Sequence, residues 1–402
     1  MEWATDRAPR GVWRARPLLT RKSMESKEEV IIVGGGVVGA AIAFGAARSG
    51  APVILLDQGD IAHRASRGNF GLVWMQSKGD GFPRYAKWCR EAVDFWPALA
   101  KELFELTGID VDLRQNGGFW IGFSEAEMRA REAMLEKLKD VGPGIPYEML
   151  DRAALKAHLP AIGPTVAGGS FCPLDGHVNP LKLLYALHAS LKTLGAQVFS
   201  NVDVVHVSHQ QEHGIFHVKS VDGRVWRAPR MVLAAGLGNK KLAAQVGLYA
   251  PVEPNRGQVL ITERLKPFLP YPTNKARQTA EGTVQLGYSI EDVGLDDGTT
   301  VSAIEWIAKR AIATFPILSD VRLVRAWGAL RVMTPDGSPI YQESVSCPGA
   351  FVATSHSGVS LAGTHAYVVG PWMAGLSAEP QDMAEFAGDR YRDPARSFSN
   401  AH

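Results

Sequence analysis

The chain has 402 residues, of which 46% are hydrophobic and 21% are charged, and its formal net charge is +2. This composition is ordinary for a globular protein, and the small net charge gives no indication of a nucleic-acid partner. The length favours two domains, which can be interleaved along the chain. Cys89, Cys172 and Cys347 are odd in number and far apart. We therefore expect reduced thiols and neither a disulfide framework nor a metal site.

Residues 1–27 form a basic leader, with seven Lys or Arg against three Asp or Glu. The leader has no apolar segment of the kind found in a secretory signal. Its arginines are also compatible with an organelle transit peptide, and Met24 is an alternative start directly before the first apolar run. We expect a disordered or dispensable leader on a cytoplasmic protein.

The stretch from residue 30 to 60, VIIVGGGVVGAAIAFGAARSGAPVILLDQGD, allows three interpretations: a membrane span, a plain buried strand and helix, or a dinucleotide pocket. Its first 18 residues are uncharged, which meets the length threshold for a bilayer helix. Three consecutive glycines oppose that interpretation, since each costs a helix roughly 1 kcal/mol relative to alanine. The alternation favours a strand, a glycine turn, a helix and a second strand.

The glycines fit the pattern G-x-G-x-x-G of a dinucleotide-binding turn. Gly34 allows a tight turn, Gly36 allows pyrophosphate to approach the backbone, and Gly39 allows the helix to lie close to the sheet. Asp57 ends the second strand 23 residues after Gly34, where an acid binds ribose hydroxyls. This unit alone leaves FAD and NAD open. The small and Gly-rich segment 63–80 suits backbone along an extended cofactor, or a surface loop.

Further elements follow in chain order. Helices are predicted at 84–107, from the Ser124 and Glu127 cap to near Asp140, at 180–195 and at 301–315. Strands are predicted at 117–123, at several places in 196–230 with an Asp222–Gly223 hairpin turn, and at 231–235, 257–263 and 282–289. Residues 251–322 therefore indicate a sheet-and-helix module distinct from the nucleotide unit.

Several motifs together resemble the D-amino-acid oxidase family of FAD-dependent amine oxidoreductases over residues 28–390. They are VIIVGGGVVGAAIAFGAARSG, ASRGNFG, DGHVNP, RAPRMVLAAG, RGQVL, GALRVMTPDGSPIY and ATSHSGVSLAG. RGNFGLVW and LRVMTPDG are particularly similar to β subunits of bacterial octopine and nopaline oxidases, D-hydroxyproline dehydrogenase and hydrogen cyanide synthase.

The resemblance implies an α/β fold, α+β overall, in two domains. A Rossmann-like FAD-binding domain would be built from discontinuous segments, 28–110, 151–250 and 323–402. A substrate domain with an antiparallel sheet, 111–150 and 251–322, would roof the flavin.

The resemblance also implies the cofactor contacts. The ADP half of FAD would be held by Gly34, Gly36, Gly39 and Asp57, and the ribityl and flavin portion by Ser66, Gly68, Asn69 and Gly71. The backbone of Val204 would meet the adenine, Ala235 and Gly236 would close the pocket, and Gly358, Val359 and Ser360 would offer backbone groups near the pyrimidine edge. Ala329 stands where some relatives attach FAD through a cysteine, so non-covalent FAD is expected.

Arg331 lies in an apolar strand, where an arginine is costly unless it is paired. Its planar guanidinium matches a carboxylate in bidentate fashion, and in the family this arginine grips the substrate carboxylate. The alternative is an internal ion pair. Tyr288 either helps at the carboxylate, lines the cavity or is core. His356 either faces the flavin or is a turn histidine.

The resemblance implies oxidation of an amine on a carboxylate-bearing substrate, an opine or a D-hydroxyproline-like imino acid, with hydride transfer to flavin and hydrolysis of the resulting imine. An opine carries more than one carboxylate, so a further basic residue is expected, which the sequence does not identify. A second hypothesis is an FAD-holding subunit that works only in a heteromeric dehydrogenase, with an α subunit and a small iron–sulfur subunit that carry FMN or an iron–sulfur centre. A third is a stand-alone glycine or D-amino-acid oxidase, although SHSGVS lacks the extra arginine of glycine oxidases.

Overall fold

A computed structural model describes residues 29–59, 65–142 and 144–393; the predicted leader, residues 63–64 of the Gly-rich segment and the end of the predicted segment 323–402 lie outside these ranges. The strands are β1 Val30–Val33, β2 Val53–Leu56, β3 Leu72–Val73, β4 Gly118–Gly122, β5 Glu148–Asp151, β6 Gly168–Cys172, β7 Gly176–His177, β8 Gln197–Phe199, β9 Val204–Gln210, β10 Ile215–Ser220, β11 Val225–Ala228, β12 Arg230–Leu233, β13 Glu253–Arg264, β14 Ala276–Gln278, β15 Thr283–Gly287, β16 Leu323–Met333, β17 Ile340–Glu343 and β18 Ala350–Thr354. The α-helices are α1 Val37–Arg48, α2 Pro83–Thr107, α3 Glu125–Leu138, α4 Arg152–His158, α5 Pro180–Thr193, α6 Asn239–Leu242, α7 Val301–Thr314, α8 Ala362–Thr364 and α9 Gly370–Met373, with a π-helix at His365–Val369. Short 3-10 helices lie at Gly236–Gly238, Ala243–Val246, Pro316–Leu318, Met383–Phe386 and Gly388–Arg392.

The nucleotide unit is built on a six-stranded sheet in the order β17-β18-β12-β1-β2-β8. β1 pairs in parallel with both β2 and β12, and only β17 runs antiparallel to its neighbour. All four residues of β1 are buried, as expected for a parallel strand covered on both faces. The predicted strand, turn, helix and strand are therefore confirmed.

The membrane interpretation is wrong, because the glycines separate β1 from a helix of only 12 residues. Across the described ranges, no helix is long and apolar enough to cross a membrane.

Alternate residues of β1 enter two different cores. Val30 and Ile32 pack with α1, α2 and α5 on one face of the sheet. Ile31 and Val33 pack on the other face against the small antiparallel sheet β9-β10-β11. The period of two thus places a helical layer on one side and a β layer on the other.

A separate antiparallel sheet has the order β14-β15-β13-β16. α7 covers one face of this sheet with Ile307 and Ala311, in a core that includes Leu260 and Leu286. This sheet and helix are the elements predicted within residues 251–322, except that β16 follows them in the chain. β13 is longer than the predicted strand 257–263 because it pairs with β16 from Glu253 onward.

Sheet pairing crosses two of the predicted segment boundaries. β16 begins at residue 323, in the predicted FAD segment, yet its partner is β13 of the other module. β6, also assigned to an FAD segment, pairs with β4 and β5 in a three-stranded sheet. Backbone hydrogen bonding thus joins these strands to the sheets of the predicted substrate domain, and we call β14-β15-β13-β16 the roof sheet.

The predicted cap of α3 is confirmed, and α5 has a cap that was not predicted. Ser124 accepts the backbone N–H of Glu127, while the Glu127 carboxylate accepts the N–H of Phe123 at 2.9 Å. The Asn179 side chain accepts two amides in the first turn of α5. Local capping chemistry therefore sets where both helices begin.

Candidate active site

The glycine turn after β1 is so tight that side chains would not fit at Gly34 or Gly39. Gly34 has a φ of +109°, and a Cβ added there would lie 2.3 Å from the carbonyl oxygen of Ala234. A Cβ at Gly39 would lie 1.9 Å from the carbonyl oxygen of Gly34. These contacts match the predicted reasons for both glycines: a tight turn and a helix packed closely on the sheet.

Ser66 lies at the start of α1. The first hydrogen bond within the helix joins the N–H of Ala40 to the carbonyl of Gly36, so the preceding amides have no helical partner. The N–H of Val37 donates to Ser66 Oγ at 2.9 Å. A Cβ at Gly36 would lie 2.8 Å from this hydroxyl, so Gly36 makes room for Ser66. Ser66 is thus at the glycine turn, where the helix N-terminus favours an anion.

Asp57 joins the glycine turn to the end of β2. Its Oδ2 accepts the N–H of Gly35 at 2.7 Å, and its Oδ1 accepts the N–H of Gly59 at 2.9 Å. A carboxylate oxygen can accept more than one hydrogen bond, so each oxygen keeps capacity for a ribose hydroxyl. His188, which the sequence analysis missed, contacts the carbonyl of Gly35 through Nε2 at 2.7 Å.

Residues 66–71, which we call the cofactor loop, lie against the roof sheet. Three side chains of that sheet donate to consecutive carbonyls of the loop: Trp327 to Gly68 at 3.2 Å, Gln285 to Asn69 at 3.4 Å, and Arg277 to Phe70. A Cβ at Gly68 would lie 2.3 Å from the Cβ of Ala329. The structure therefore brings the predicted Gly68, Asn69 and Gly71 to the roof sheet.

The sequence analysis missed the three residues that hold the cofactor loop. Each of the three lies in a different strand, and no sequence motif contains all of them. The alternation of side chains along a strand is the only sequence signal that could have placed them on the face toward the cofactor loop. In β16, that alternation puts Trp327, Ala329 and Arg331 on one face.

The segment after β18 packs next to the glycine turn. A Cβ at Gly358 would lie 3.0 Å from a methyl of Val38, and Val359 is buried. Ser360 Oγ accepts the N–H of Trp74 at 3.0 Å and donates to the carbonyl of Leu72 at 3.2 Å. The Ser360 hydroxyl thus fixes β3, and the predicted cofactor contacts here remain predictions.

Val204 and Gly236 lie at the two sides of the nucleotide unit. Val204 begins β9 and pairs with Ser220, while Val202 N–H donates to the carbonyl of Asp57 at 2.8 Å. This bond brings the start of β9 beside the predicted ribose site. Gly236 follows β12 with a φ of +58°. The adenine and closing roles stay predictions.

Arg331 is held by neutral oxygens. Its Nη1 donates to Asn255 Oδ1 at 2.8 Å and to the carbonyl of Arg256 at 3.1 Å, and its Nη2 donates to the carbonyl of Ser289 at 2.8 Å. Gly257 gives the guanidinium space, because a Cβ there would lie 2.1 Å from Nη2. Burial lowers the pKa of Arg331. No carboxylate in the described ranges lies within ion-pair distance of it, contrary to the alternative of an internal ion pair.

Tyr288 lines a cavity of about 420 Å³ next to Arg331. Its ring has the Arg331 Cζ 4.9 Å from the centroid, and the Lys275 ammonium 4.5 Å from it. Burial, with the charges of Arg310 and Arg331, lowers the pKa of Lys275 to about 8. Lys275 was not predicted from the sequence, and neither was Arg277 two residues later.

His356 lies on a different segment from Arg331 and Tyr288, in the turn after β18. It is half-buried between two buried serines, of which Ser355 accepts the N–H of Ser357. Ser357 in turn accepts the Tyr85 hydroxyl at 2.8 Å. This position suits a turn histidine, and a flavin-facing role remains a prediction.

A buried carboxyl lies beneath β3. Asp175 is fully buried, and its Oδ1 accepts the N–H of Met75 at 2.7 Å. Burial raises the pKa of Asp175 to about 7, against the opposing effect of that hydrogen bond.

Cys89, Cys172 and Cys347 are free thiols. Across the described ranges, no group of His, Cys, Asp or Glu could hold a metal ion.

Comparison with known proteins identifies the family. Residues 29–379 match the family described as DAO, FAD dependent oxidoreductase. The chain belongs to this family. It is therefore an FAD-dependent oxidoreductase, and the recognition made on the motifs is confirmed.

Two curated relatives are named as subunits of larger enzymes. The chain is 41% identical over 369 residues to an opine oxidase subunit of Rhizobium meliloti, covering 90% of this chain and 97% of that protein. It is 27% identical over 367 residues to the hydrogen cyanide synthase subunit HcnC of Pseudomonas protegens, covering 82% of this chain and 87% of that protein. Among solved structures, glycine oxidase from Geobacillus kaustophilus superposes with a TM-score of 0.82 at 25% identity, covering 90% of this chain and 98% of that chain. This similarity confirms the predicted fold class.

The arrangement fits FAD. Side chains are excluded at Gly34 and Gly39, where backbone and helix start meet. Asp57 has hydrogen-bonding capacity left at the end of β2. The cofactor loop continues from the helix start to the roof sheet, so an extended dinucleotide can follow it from phosphate to ring.

Proposed function

We propose that this chain oxidises the C–N bond of a secondary amine that carries a carboxylate, an opine or a D-hydroxyproline-like imino acid, as the FAD-containing subunit of a heteromeric dehydrogenase. FAD-dependent oxidation of an amine or amino acid is the part that family membership supplies. Two relatives named as opine oxidase subunits support the choice of substrate, and the naming of these relatives and of HcnC as subunits supports the heteromeric assembly.

The observation that carries the proposal is that the guanidinium of Arg331 has no ion-pair partner among the residues that the structure describes. The neighbouring Arg256 is also buried, but it is paired with Glu291 at 2.8 Å and with Asp296. Arg331 has three neutral oxygens instead, which orient the group and leave its charge for a ligand. A substrate carboxylate supplies the missing negative charge.

The predicted contacts assign different parts of FAD to different residues. Gly34, Gly36 and Gly39 with the start of α1 would hold the pyrophosphate, and Asp57 the ribose. The cofactor loop would lie along the rest of the molecule. FAD, when bound, would supply the two-electron acceptor for the hydride on the carbon next to the amine nitrogen, and water would hydrolyse the imine so formed.

Arg331 would fix the substrate by its carboxylate and so limit the orientations of the reacting carbon. Tyr288 packs against the guanidinium and restricts its position. Each 1.36 kcal/mol by which such positioning lowers the activation barrier raises the rate about tenfold.

The proposal is tested with the purified holoenzyme under anaerobic conditions. Octopine, nopaline, D-hydroxyproline and glycine are added in turn, and bleaching of the flavin absorbance is followed. Bleaching by the lone chain with an opine or imino acid supports the proposed reaction. Bleaching that needs co-expressed partner subunits supports the subunit role, whereas bleaching by glycine alone indicates a stand-alone glycine oxidase and contradicts the proposal.

Replacing Arg331 tests the anchor. Arg331→Leu should lower kcat/KM for the carboxylate substrate by about a hundredfold or more, since charge-assisted hydrogen bonds are worth about 1.5–3 kcal/mol each. Arg331→Lys keeps the charge without the fork and should fall between. Arg325 is exposed on the same strand, so Arg325→Leu is the matched control. Near wild-type turnover in Arg331→Leu, with flavin retained, would contradict the anchoring role.

A further inference from the structure

Two cations share one aromatic ring at the edge of the roof sheet. The Lys275 ammonium and the Arg331 guanidinium lie 4.5 and 4.9 Å from the Tyr288 ring centroid. Burial lowers the pKa of both groups, which means that it disfavours both positive charges. In the described part of the chain, neither has a carboxylate within ion-pair distance.

The acid that lines the cavity is already engaged. Glu291 accepts hydrogen bonds from Arg256 at 2.8 Å, from Gln258 at 2.9 Å and from Ser289. It therefore does not neutralise Lys275. The cavity wall continues with Ile290 and Trp306, both about half exposed, which offer apolar surface for a substrate side chain.

The opines proposed as substrates have two carboxylates, one for each of these two cations. An opine is a substituted iminodiacetate, with a carboxylate on each of the two carbons that flank one amine nitrogen. Once Arg331 holds the first carboxylate, a second cation can bind the other, and Lys275 and Arg331 both contact the Tyr288 ring. Two separated carboxylates would neutralise two separated cations.

We infer that Lys275 binds the second carboxylate of the substrate, on the arm of the amine that Arg331 does not hold. This inference rests on the proposed function and deepens it by assigning a dicarboxylate subsite. Lys275 thereby determines specificity: it favours iminodicarboxylates over amines with a single carboxylate. Tyr288 is the spacer between the two anionic ends.

The charge state of Lys275 gives the subsite its own pH dependence. The titratable and charged groups around it are Arg310 of α7 and Arg331 of β16, which lower its pKa, Glu127 of α3, which raises it, and the Tyr288 ring. The resulting pKa of about 8 for Lys275 means that its positive charge is lost as the pH rises above 8. Affinity for a second carboxylate should therefore fall through that range.

The test compares two ligands that differ by one carboxylate, iminodiacetate and N-methylglycine. Binding to dithionite-reduced holoenzyme, which cannot oxidise either ligand, is measured by calorimetry at pH 7. Lys275→Met should weaken iminodiacetate about ten- to a hundredfold, the value of one charge-assisted hydrogen bond, and change N-methylglycine less than about twofold. Lys275→Arg should restore most of the difference. Lys309 of α7 is exposed, so Lys309→Met is the control.

A pH series separates binding from a merely structural role. Wild-type affinity for iminodiacetate should fall between about pH 7 and 9.5, while Lys275→Arg should stay level because its guanidinium remains charged. Equal loss of both ligands in Lys275→Met, or no preference of the wild type for iminodiacetate, would overturn the inference. In a separate activity assay of the oxidised holoenzyme, an equal loss of kcat/KM for both ligands in Lys275→Met, without rescue in Lys275→Arg, would assign Lys275 to proton transfer. That result would also overturn the inference. The bleaching panel judges the proposed function separately, because these binding constants need no turnover.

Discussion

Gly68 offers a direct test of how the cofactor loop is seated. In the structure, a Cβ at this position would lie 2.3 Å from the Cβ of Ala329, whereas carbon atoms in contact are about 3.5–4.0 Å apart. Gly68→Ala must therefore displace the loop or β16 by more than about 1 Å. That movement also disturbs the Trp327 indole bond to the Gly68 carbonyl, now 3.2 Å. Overpacking of this kind costs about 1–3 kcal/mol.

The displaced loop should bind FAD less well. We expect the dissociation constant of FAD from Gly68→Ala to rise about five- to a hundredfold, with a lower melting temperature of the holoenzyme. Ala329→Gly removes the opposing methyl group at a cost of about 0.5–1 kcal/mol for a glycine in a strand. The double variant should therefore recover most of the lost affinity.

The assay is a titration of apoprotein with FAD, followed by flavin fluorescence, for the four members of the double-mutant cycle. A coupling energy of about 1 kcal/mol or more between the two positions is expected for residues in contact. Wild-type affinity in Gly68→Ala, or independent effects of the two substitutions, would show that the loop does not pack on β16 in this way.

Two further substitutions test the glycine turn and the buried carboxyl. Gly39→Ala places a Cβ 1.9 Å from the carbonyl oxygen of Gly34, so we expect a purified protein without the yellow flavin absorbance; normal flavin content would contradict the packing of α1. Asp175 has a folded-state pKa of about 7, raised from 3.8 by burial, so its contribution to stability is present below about pH 4 and is lost as the pH rises through 7. Asp175→Asn should therefore become more stable relative to wild type by about 3 kcal/mol between pH 5 and pH 8 in urea unfolding; a difference that does not vary with pH would refute a desolvated carboxylate at this site.

The nucleotide unit could be predicted from the sequence because its determinants are local. The turn needs positive φ at Gly34, the helix needs a small residue at Gly39, and the strand must end at an acid, Asp57. All three conditions fall within one short stretch of chain. The same holds for the cap of α3, where a side chain and the amide that it caps are at most four residues apart.

The roof contacts could not be predicted, because they depend on strand pairing between distant segments. Arg277 meets the carbonyl of Phe70 across 207 positions, and Trp327 meets that of Gly68 across 259. The placement of Ser66 at the glycine turn likewise depends on tertiary packing. The family resemblance predicted that residues 66–71 contact the cofactor. It did not predict which residues of the roof sheet hold this loop.

Strand β16 crosses the predicted boundary at residue 323 for a related reason. The family resemblance implied a segment that begins there, whereas the register of the strands decides which sheet they join. β16 pairs with β13 along almost its whole length, from Glu253 opposite Met333 to Thr262 opposite Leu323. The strand that carries Arg331 therefore belongs to the roof sheet.

Register also explains why two arginines in one sheet differ in kind. Asn255 stands opposite Arg331, and the next residue of β13, Arg256, points to the other face of the sheet. On that face, Glu291 and Asp296 neutralise Arg256, so its charge serves the protein itself. The hydrogen-bond partners of Arg331 are neutral oxygens. Glu291 raises the pKa of Arg331 without forming an ion pair with it, and burial, which lowers that pKa, is the larger effect. Because an unpaired buried charge is costly, this asymmetry supports the proposal that Arg331, rather than Arg256, binds the anionic substrate.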